Sequence, residues 1–206
     1  MRIILVRHGE TIENAAGILQ GHLPGSLSEK GHKQAEAVAE RLKNENIDVI
    51  YSSDLNRAVQ TMKKIAKHHP EVPIVLRKEL RERNYGIFQG KEKEVIGWRC
   101  ENNPYYKLDK IIPEGESYFQ VYERVSKFLN GIFEKNKEKT LLIVGHGVAI
   151  RCLITYLLKR PPEDIVNSRM NSPLHNTSVT IIDLENLDNS QLILENCSKH
   201  IISQLI

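Results

Sequence analysis

The sequence predicts an α/β fold, a three-layer α/β/α sandwich with a mainly parallel sheet, an antiparallel edge and a small lid insert. Three observations predict it. Short, continuous apolar runs alternate with segments of helical periodicity, which implies parallel strands with helices on both faces. The last two runs are joined only by the turn "NLDNS", which suggests an antiparallel pair. Residues 84–116 hold four glycines, two prolines and scattered aromatics, and are too long for a simple loop in a compact domain. At 206 residues the chain is long enough for one well-buried domain, 1–206, with 84–116 as an insert within it.

Each element has its own signal. Residues 2–7 read as a strand covered on both faces, and a Gly- and polar-rich loop follows over 9–27. Ser28 can cap a helix whose Ala35, Val38, Ala39 and Leu42 recur at helical spacing. "IDVIYSS" (47–53) is a second strand, and Asp54 to His68 a helix with Ala58, Met62, Ile65 and Ala66 on one face. "PIVLRKEL" (73–80) is a third strand. Ser117 and Gln120 form a capping-box pattern, opening a helix with Tyr118, Tyr122, Val125, Leu129, Ile132 and Phe133 in an apolar stripe. "TLLIVGH" (140–146) is a buried strand, followed by a helix to about Leu158 that Pro161-Pro162 terminates. "SVTIIDLE" and "QLILENCS" are the closing strands, and such edge strands permit a homodimer.

Composition narrows the function classes. Apolar residues make up 40% and charged residues 27%, ordinary for a soluble globular protein. A net charge of +3, from 29 basic and 26 acidic residues, is too balanced to argue for nucleic acid or an anionic membrane as partner. Cys100, Cys152 and Cys197 are far apart and odd in number, so a reducing, cytoplasmic setting is expected rather than a disulfide framework. The first residues offer too short an apolar run for a signal peptide, and no run approaches membrane-spanning length.

The polar residues are more informative. In open α/β sheets, ligands bind beyond the carboxyl ends of the strands. The first strand ends at Arg7-His8-Gly9, and "SSDLNRA" sets Arg57 on the first turn of the helix after the second. "LRERNYG" carries Glu82 just past the third, and another strand ends at Gly145-His146-Gly147. Each residue alone has a bland reading as a structural histidine or a solvated charge. Together, four βα junctions deliver two Arg, two His and one Glu to one edge. Arg57 is also misplaced with respect to the helix dipole unless an anion lies nearby. Two Arg and two His around one point suit a phosphoryl dianion, since Arg offers permanently charged forks matched to phosphate oxygens. A His there can be a nucleophile, and Glu82 can hold a proton for a leaving group. His22, His32, His68, His69, His175 and His200 show no metal-ligand spacing.

With these residues assembled, the chain resembles the histidine phosphatase superfamily, in its phosphoglycerate mutase-like branch. "LVRHGET" (5–11) looks like the signature. The agreement runs on through Asn14, Gln20-Gly21, "LSEKGHKQA" (27–35), "YSSDLNRAVQT" (51–61), "LRERNYGIFQG" (80–90), "PEGES" (113–117), "VGHGVAIR" (144–151) and "NTSVTIID" (176–183). The resemblance implies that His8 becomes phosphohistidine and that Arg7, Arg57 and His146 hold the phosphoryl oxygens. Glu82 would be general acid, then base. Asn14, Gln20 and Gly21 would add contacts to phosphate or substrate, and Gly9 and Gly147 would let backbone N–H groups approach. It implies no metal and no cofactor, because the Arg/His cage supplies the charge. Two positions depart from the pattern: Glu13 stands where an aromatic is frequent, and Gly25-Ser26 where an Asp is common. Glu13 near the mouth would disfavour a strongly anionic substrate tail.

The expected activity is metal-independent hydrolysis of a small phosphorylated metabolite, such as a sugar phosphate or α-ribazole phosphate. A cofactor-dependent phosphoglycerate mutase is the alternative, and a non-catalytic phospho-ligand binder the weakest reading. The 84–116 insert is short and lacks the adjacent arginine pair of the longer mutases, although "ERNYG" echoes them. Trp98, Tyr105 and Tyr106 are expected either to pack the insert on the core or to line a leaving-group pocket.

Overall fold

The computed structural model describes residues 1–98, 103–171 and 173–202. Its strands are β1 (Arg2–Arg7), β2 (Val49–Ser53), β3 (Ile74–Arg77), β4 (Thr140–Gly145), β5 (Val179–Leu184) and β6 (Ser190–Cys197). Its helices are α1 (Ile12–Ala15), α2 (Glu29–Leu42), α3 (Asn56–Ala66), α4 (Tyr118–Phe133), α5 (Gly147–Leu157), α6 (Asp164–Asn171) and α7 (Lys199–Ile202). The strands form one sheet in the order β3-β2-β4-β1-β5-β6. β1 to β4 are parallel, while β5 runs antiparallel to both β1 and β6. This is the predicted mainly parallel α/β sheet with its antiparallel edge.

The apolar runs make this sheet because both faces are covered. In β1 and β4, Ile3, Leu5, Leu141 and Ile143 face α4 and α5, while Ile4, Val6, Leu142 and Val144 face α2 and α3. Full burial of each such side chain is worth roughly 1.5–3 kcal/mol. The helix starts follow the cap chemistry. Ser28 Oγ accepts from the Gly31 N–H, and Ser117 and Gln120 form a reciprocal capping box. Gly31 also has no room for a side chain, because a Cβ there would lie 1.9 Å from the Glu10 carbonyl oxygen.

Three elements differ from expectation. The run 73–80 is a strand only over Ile74–Arg77. It then tightens into a 3₁₀ turn, Lys78–Leu80, which buries Leu80. One turn of helix, α1, interrupts the first loop, started by a Thr11–Asn14 capping box. α6 follows Pro161-Pro162, where Ile165, Val166 and Met170 are the apolar residues and the periodicity is too weak to read.

The described part of the insert has its own small core. Trp98, Tyr85, Tyr106 and Ile112 are buried together with Leu19. Tyr105 packs only at its margin. Arg99 and Cys100 lie outside the described residues; Cys152 and Cys197 carry free thiols. Among the described residues no helix is long and apolar enough to cross a membrane.

Candidate active site

The carboxyl ends of β1, β2 and β4, and the turn after β3, bring His8, Arg57, His146 and Glu82 together as the sequence predicts. His8 leaves β1 with its backbone N–H bonded to the Gly145 carbonyl of β4. Its ring Nδ1 lies 2.7 Å from the Gly9 carbonyl oxygen. A carbonyl only accepts, so Nδ1 carries the proton and Nε2 keeps its lone pair. Burial, then the Arg57 and Arg7 guanidiniums, hold the His8 imidazole well below its ordinary value of 6.5.

Arg57 is 1% exposed. It donates through Nη2 to the Gly21 carbonyl at 2.7 Å, through Nη1 to Leu23 O at 3.2 Å and through Nε to His146 Nδ1 at 3.2 Å. Gly21 presents that carbonyl from a left-handed backbone, φ +57°, which favours glycine. Burial pushes the Arg57 guanidinium down to about 10, against the opposite pull of Glu82 and Glu13. His146 is fully buried and its ring centroid lies 5.1 Å from that of His8. Because its Nδ1 accepts from Arg57, its Nε2 is the protonated nitrogen and donates to Ser53 Oγ at 2.8 Å. Burial and then Arg57 hold this imidazole far below 6.5 as well.

Glu82 accepts from the Arg83 N–H at 2.8 Å and from the Val148 N–H at 3.1 Å. Its own carbonyl accepts from Arg124 Nη2 at 2.9 Å and is met by His22 Nε2 at 2.7 Å. Arg7 donates through Nη1 to the Leu174 carbonyl.

Two small cavities meet here. One, of about 70 Å³, is lined by Arg7, His8, Asn14, Gln20, Gly21 and Arg57, together with Glu82, Tyr85 and Lys93. The other, of about 130 Å³, shares Arg7, Glu82 and Lys93 and adds Gly147 and Arg151. A wider hollow of about 590 Å³ between α1 and the insert also touches Asn14 and Lys93.

The predicted set is thus gathered, with differences in detail. His146 stands behind Arg57 and lines neither small cavity. The Gly9 N–H donates to Thr61 Oγ1 at 3.0 Å, and a Cβ on Gly9 would lie 2.6 Å from the Gly31 carbonyl oxygen. Gly9 is therefore needed for close packing against α2. Glu13 accepts from Gln20 Nε2 at 2.9 Å and lines none of the three cavities. Sequence reasoning missed Ser53, Thr61, Arg124 and Asn176, whose Nδ2 donates to the His8 carbonyl at 3.0 Å. Ser53 and Thr61 sit inside "YSSDLNRAVQT", but nothing in their spacing gives their partners. Among the described residues no group of three or more His, Cys, Asp or Glu side chains could hold a metal ion. What is gathered instead is a buried cationic pocket around one unprotonated imidazole nitrogen, with a carboxylate at its edge. That arrangement can bind a phosphoryl dianion and receive its phosphorus.

Comparison with known proteins bears on the family. The model of the histidine phosphatase superfamily (branch 1) matches residues 3–196. The chain is 39% identical over 191 residues to a metal-independent phosphoserine phosphatase of Arabidopsis thaliana, covering 88% of this chain and 76% of that one. It is 38% identical over 188 residues to phosphoglycerate mutase-like protein 4 of the same plant, covering 88% and 79%. Among solved structures it is similar to a phosphoserine phosphatase from Entamoeba histolytica in complex with 3-phosphoglyceric acid. The TM-score there is 0.82 at 28% identity, over 97% of this chain and 98% of that one.

Proposed function

The chain belongs to the histidine phosphatase superfamily (branch 1), and on that premise we propose that it hydrolyses small phosphomonoesters through a phosphohistidine on His8, with no metal ion or resident cofactor. The observation that carries this reading is the 2.7 Å contact of His8 Nδ1 with the Gly9 carbonyl, which fixes the tautomer. Its Nδ1–H is tied to Gly9 O, so the lone pair of Nε2 is available in a cationic pocket.

In the first half-reaction Nε2 forms a bond to phosphorus as the ester P–O bond breaks. The departing alkoxide takes a proton from Glu82. Arg7 and Arg57 hold the phosphoryl oxygens, and their charge does the stabilising that a metal would otherwise supply. His146 fixes the orientation of Arg57 through the Nε–Nδ1 bond, and Asn14, Gln20 and Gly21 wall the pocket. In the second half-reaction water gives its proton to Glu82 and its oxygen to phosphorus. The P–N bond breaks, phosphate leaves and His8 is restored. The relative named as a metal-independent phosphatase supports this reading.

The second reading, a mutase, is favoured by relatives carrying that name. It shares the first half-reaction and differs in which acceptor takes the phosphoryl group.

The test is a chelator-treated assay of phosphate release over a panel of phosphomonoesters. 3-Phosphoglycerate with 2,3-bisphosphoglycerate is run beside it to detect isomerisation. Phosphate release without isomerisation is expected. Quenched enzyme should hold acid-labile phosphate, absent in His8→Ala along with turnover. Rapid isomerisation with little phosphate release would make it a mutase, and chelator inactivation would refute the metal-free mechanism.

A further inference from the structure

We propose that Glu13 is a positioning residue for the phosphoryl group: acting through Gln20, it sets the side-chain amide of Asn14 so that an N–H, and not a carbonyl, serves the 70 Å³ cavity. The inference rests on the phosphatase reading above. The two positions where the sequence departs from the family pattern, Glu13 and Gly25, meet at Gln20, a side chain only 6% exposed. Gln20 Nε2 donates to Glu13 Oε2 at 2.9 Å. A Cβ on Gly25 would lie 2.2 Å from that nitrogen and 3.0 Å from Glu13 Oε2, so the bond exists because position 25 has no side chain.

The two ends of a carboxamide have nearly the same shape, and their partners alone decide which end faces where. An ionised carboxylate only accepts. Glu13 therefore takes the nitrogen of Gln20 and leaves Oε1 to the other side, where Thr11 Oγ1 donates to it at 2.9 Å and Asn14 Nδ2 at 3.2 Å. That oxygen in turn sets Asn14. The Asn14 Oδ1 accepts from the Thr11 N–H and from Asn176 Nδ2, both at 3.4 Å. These two bonds are long, so Gln20 Oε1 is the firmer restraint on the Asn14 amide. One hydrogen of Asn14 Nδ2 goes to Gln20. The other has no acceptor among the described residues, and Asn14 lines the cavity it shares with Arg7, His8 and Arg57.

A phosphoryl oxygen accepts and does not donate, so an N–H facing it binds and a carbonyl facing it repels. Without an acceptor at position 13, Gln20 is released to turn over. Its Nε2 would then oppose Asn14 Nδ2, donor against donor, and Asn14 would have to rotate or withdraw. Glu13 lines none of the three cavities, so its effect passes through Gln20 and not through contact with phosphate.

The experiment titrates inorganic phosphate into the intact chain by calorimetry. Glu13→Met should weaken binding by about tenfold, the scale of one hydrogen bond to a charged group. Charge alone predicts the opposite sign, because removing a carboxylate near the pocket favours a dianion. Glu13→Gln lacks the charge but still accepts through Oε1, and should recover part of the loss. In Asn14→Ala, itself weaker than wild type, adding Glu13→Met should cost nothing more, since both changes remove one interaction. Unchanged or tighter binding in Glu13→Met, no recovery in Glu13→Gln, or additive losses with Asn14→Ala would overturn the relay. If Glu13→Met does not fold, Gly25→Ala decides. It leaves Glu13 in place but displaces the Gln20 amide, and should weaken phosphate binding in wild type and not in Asn14→Ala; wild-type affinity in Gly25→Ala counts against the relay. Failure of the wild-type protein to hydrolyse p-nitrophenyl phosphate would strike the phosphatase reading, while the titration would still decide on Glu13.

Discussion

His8 and His146 are both held neutral by burial and by cationic neighbours, and this has a measurable consequence for stability. In the unfolded chain both rings take up protons as the pH falls through about 6.5. The folded protein binds those protons only at much lower pH. Below about 6.5 the unfolded state therefore holds more protons, so stability is full above that pH and falls beneath it. The slope is about 1.4 kcal/mol per pH unit for each such histidine. Thermal unfolding in phosphate-free buffer between pH 7.5 and 5 should show this decline, and His8→Asn should flatten it; equal slopes would mean that His8 is protonated in the folded state. Glu82 makes a second prediction at this scale. Glu82→Gln should depress hydrolysis of alkyl phosphates by roughly 10²–10⁴-fold, the usual worth of general acid catalysis, and that of p-nitrophenyl phosphate far less. Equal losses on both would remove Glu82 from proton transfer to the leaving group. These residues were legible because each ends a strand or opens a helix at one sheet edge. The partners of His146 were not, because Ser53 and Arg57 meet it across 93 and 89 residues of sequence.

At the scale of elements, α4 anchors the segment that carries Glu82. Arg124 of α4 donates to the Glu79 carbonyl at 2.6 Å, to the Glu82 carbonyl at 2.9 Å and to the Glu116 carboxylate at 2.9 Å. Burial raises the Glu116 carboxyl, but Arg124 outweighs it and holds the group below its ordinary range. Arg83, fully buried with its guanidinium 3.9 Å from the centre of the Tyr118 ring, donates to the carbonyls of Tyr105, Lys110 and Glu116. The insert and the carboxylate are thus tied through adjacent residues. Arg124→Met should lower kcat for alkyl phosphates more than for p-nitrophenyl phosphate with KM little changed, and Arg124→Lys should recover part; a uniform loss that tracks melting temperature would reduce Arg124 to a structural role. The helices α2 and α4 and their caps were legible because Ser28 and Ser117 act locally. The length of β3 was not, since only its pairing with β2 over four residues limits it. Nor was the clamp on Glu82, which joins positions 42 residues apart.

Across the whole molecule, two apolar layers meet at β1 and β4, and the candidate site lies at one end of the sheet. The position of β1 inside the sheet governs how the molecule comes into being. Its neighbours are β4, 138 residues downstream, and β5, the register running from Arg2 opposite Thr140 to Arg2 opposite Asp183. The Thr177 N–H and the Asn176 side chain bond the Arg7 and His8 carbonyls. Such long-range closures make folding slow. They also mean that a ribosome must translate past β5 before β1 has both of its neighbours. A chain ended at residue 171 should release no phosphate in the panel assay and should aggregate, because β1 then presents an unpaired backbone edge; soluble, active truncated protein would contradict this. His8 is therefore synthesised well before β4 and β5, and whatever its ring can do must wait for the two strands that seat it.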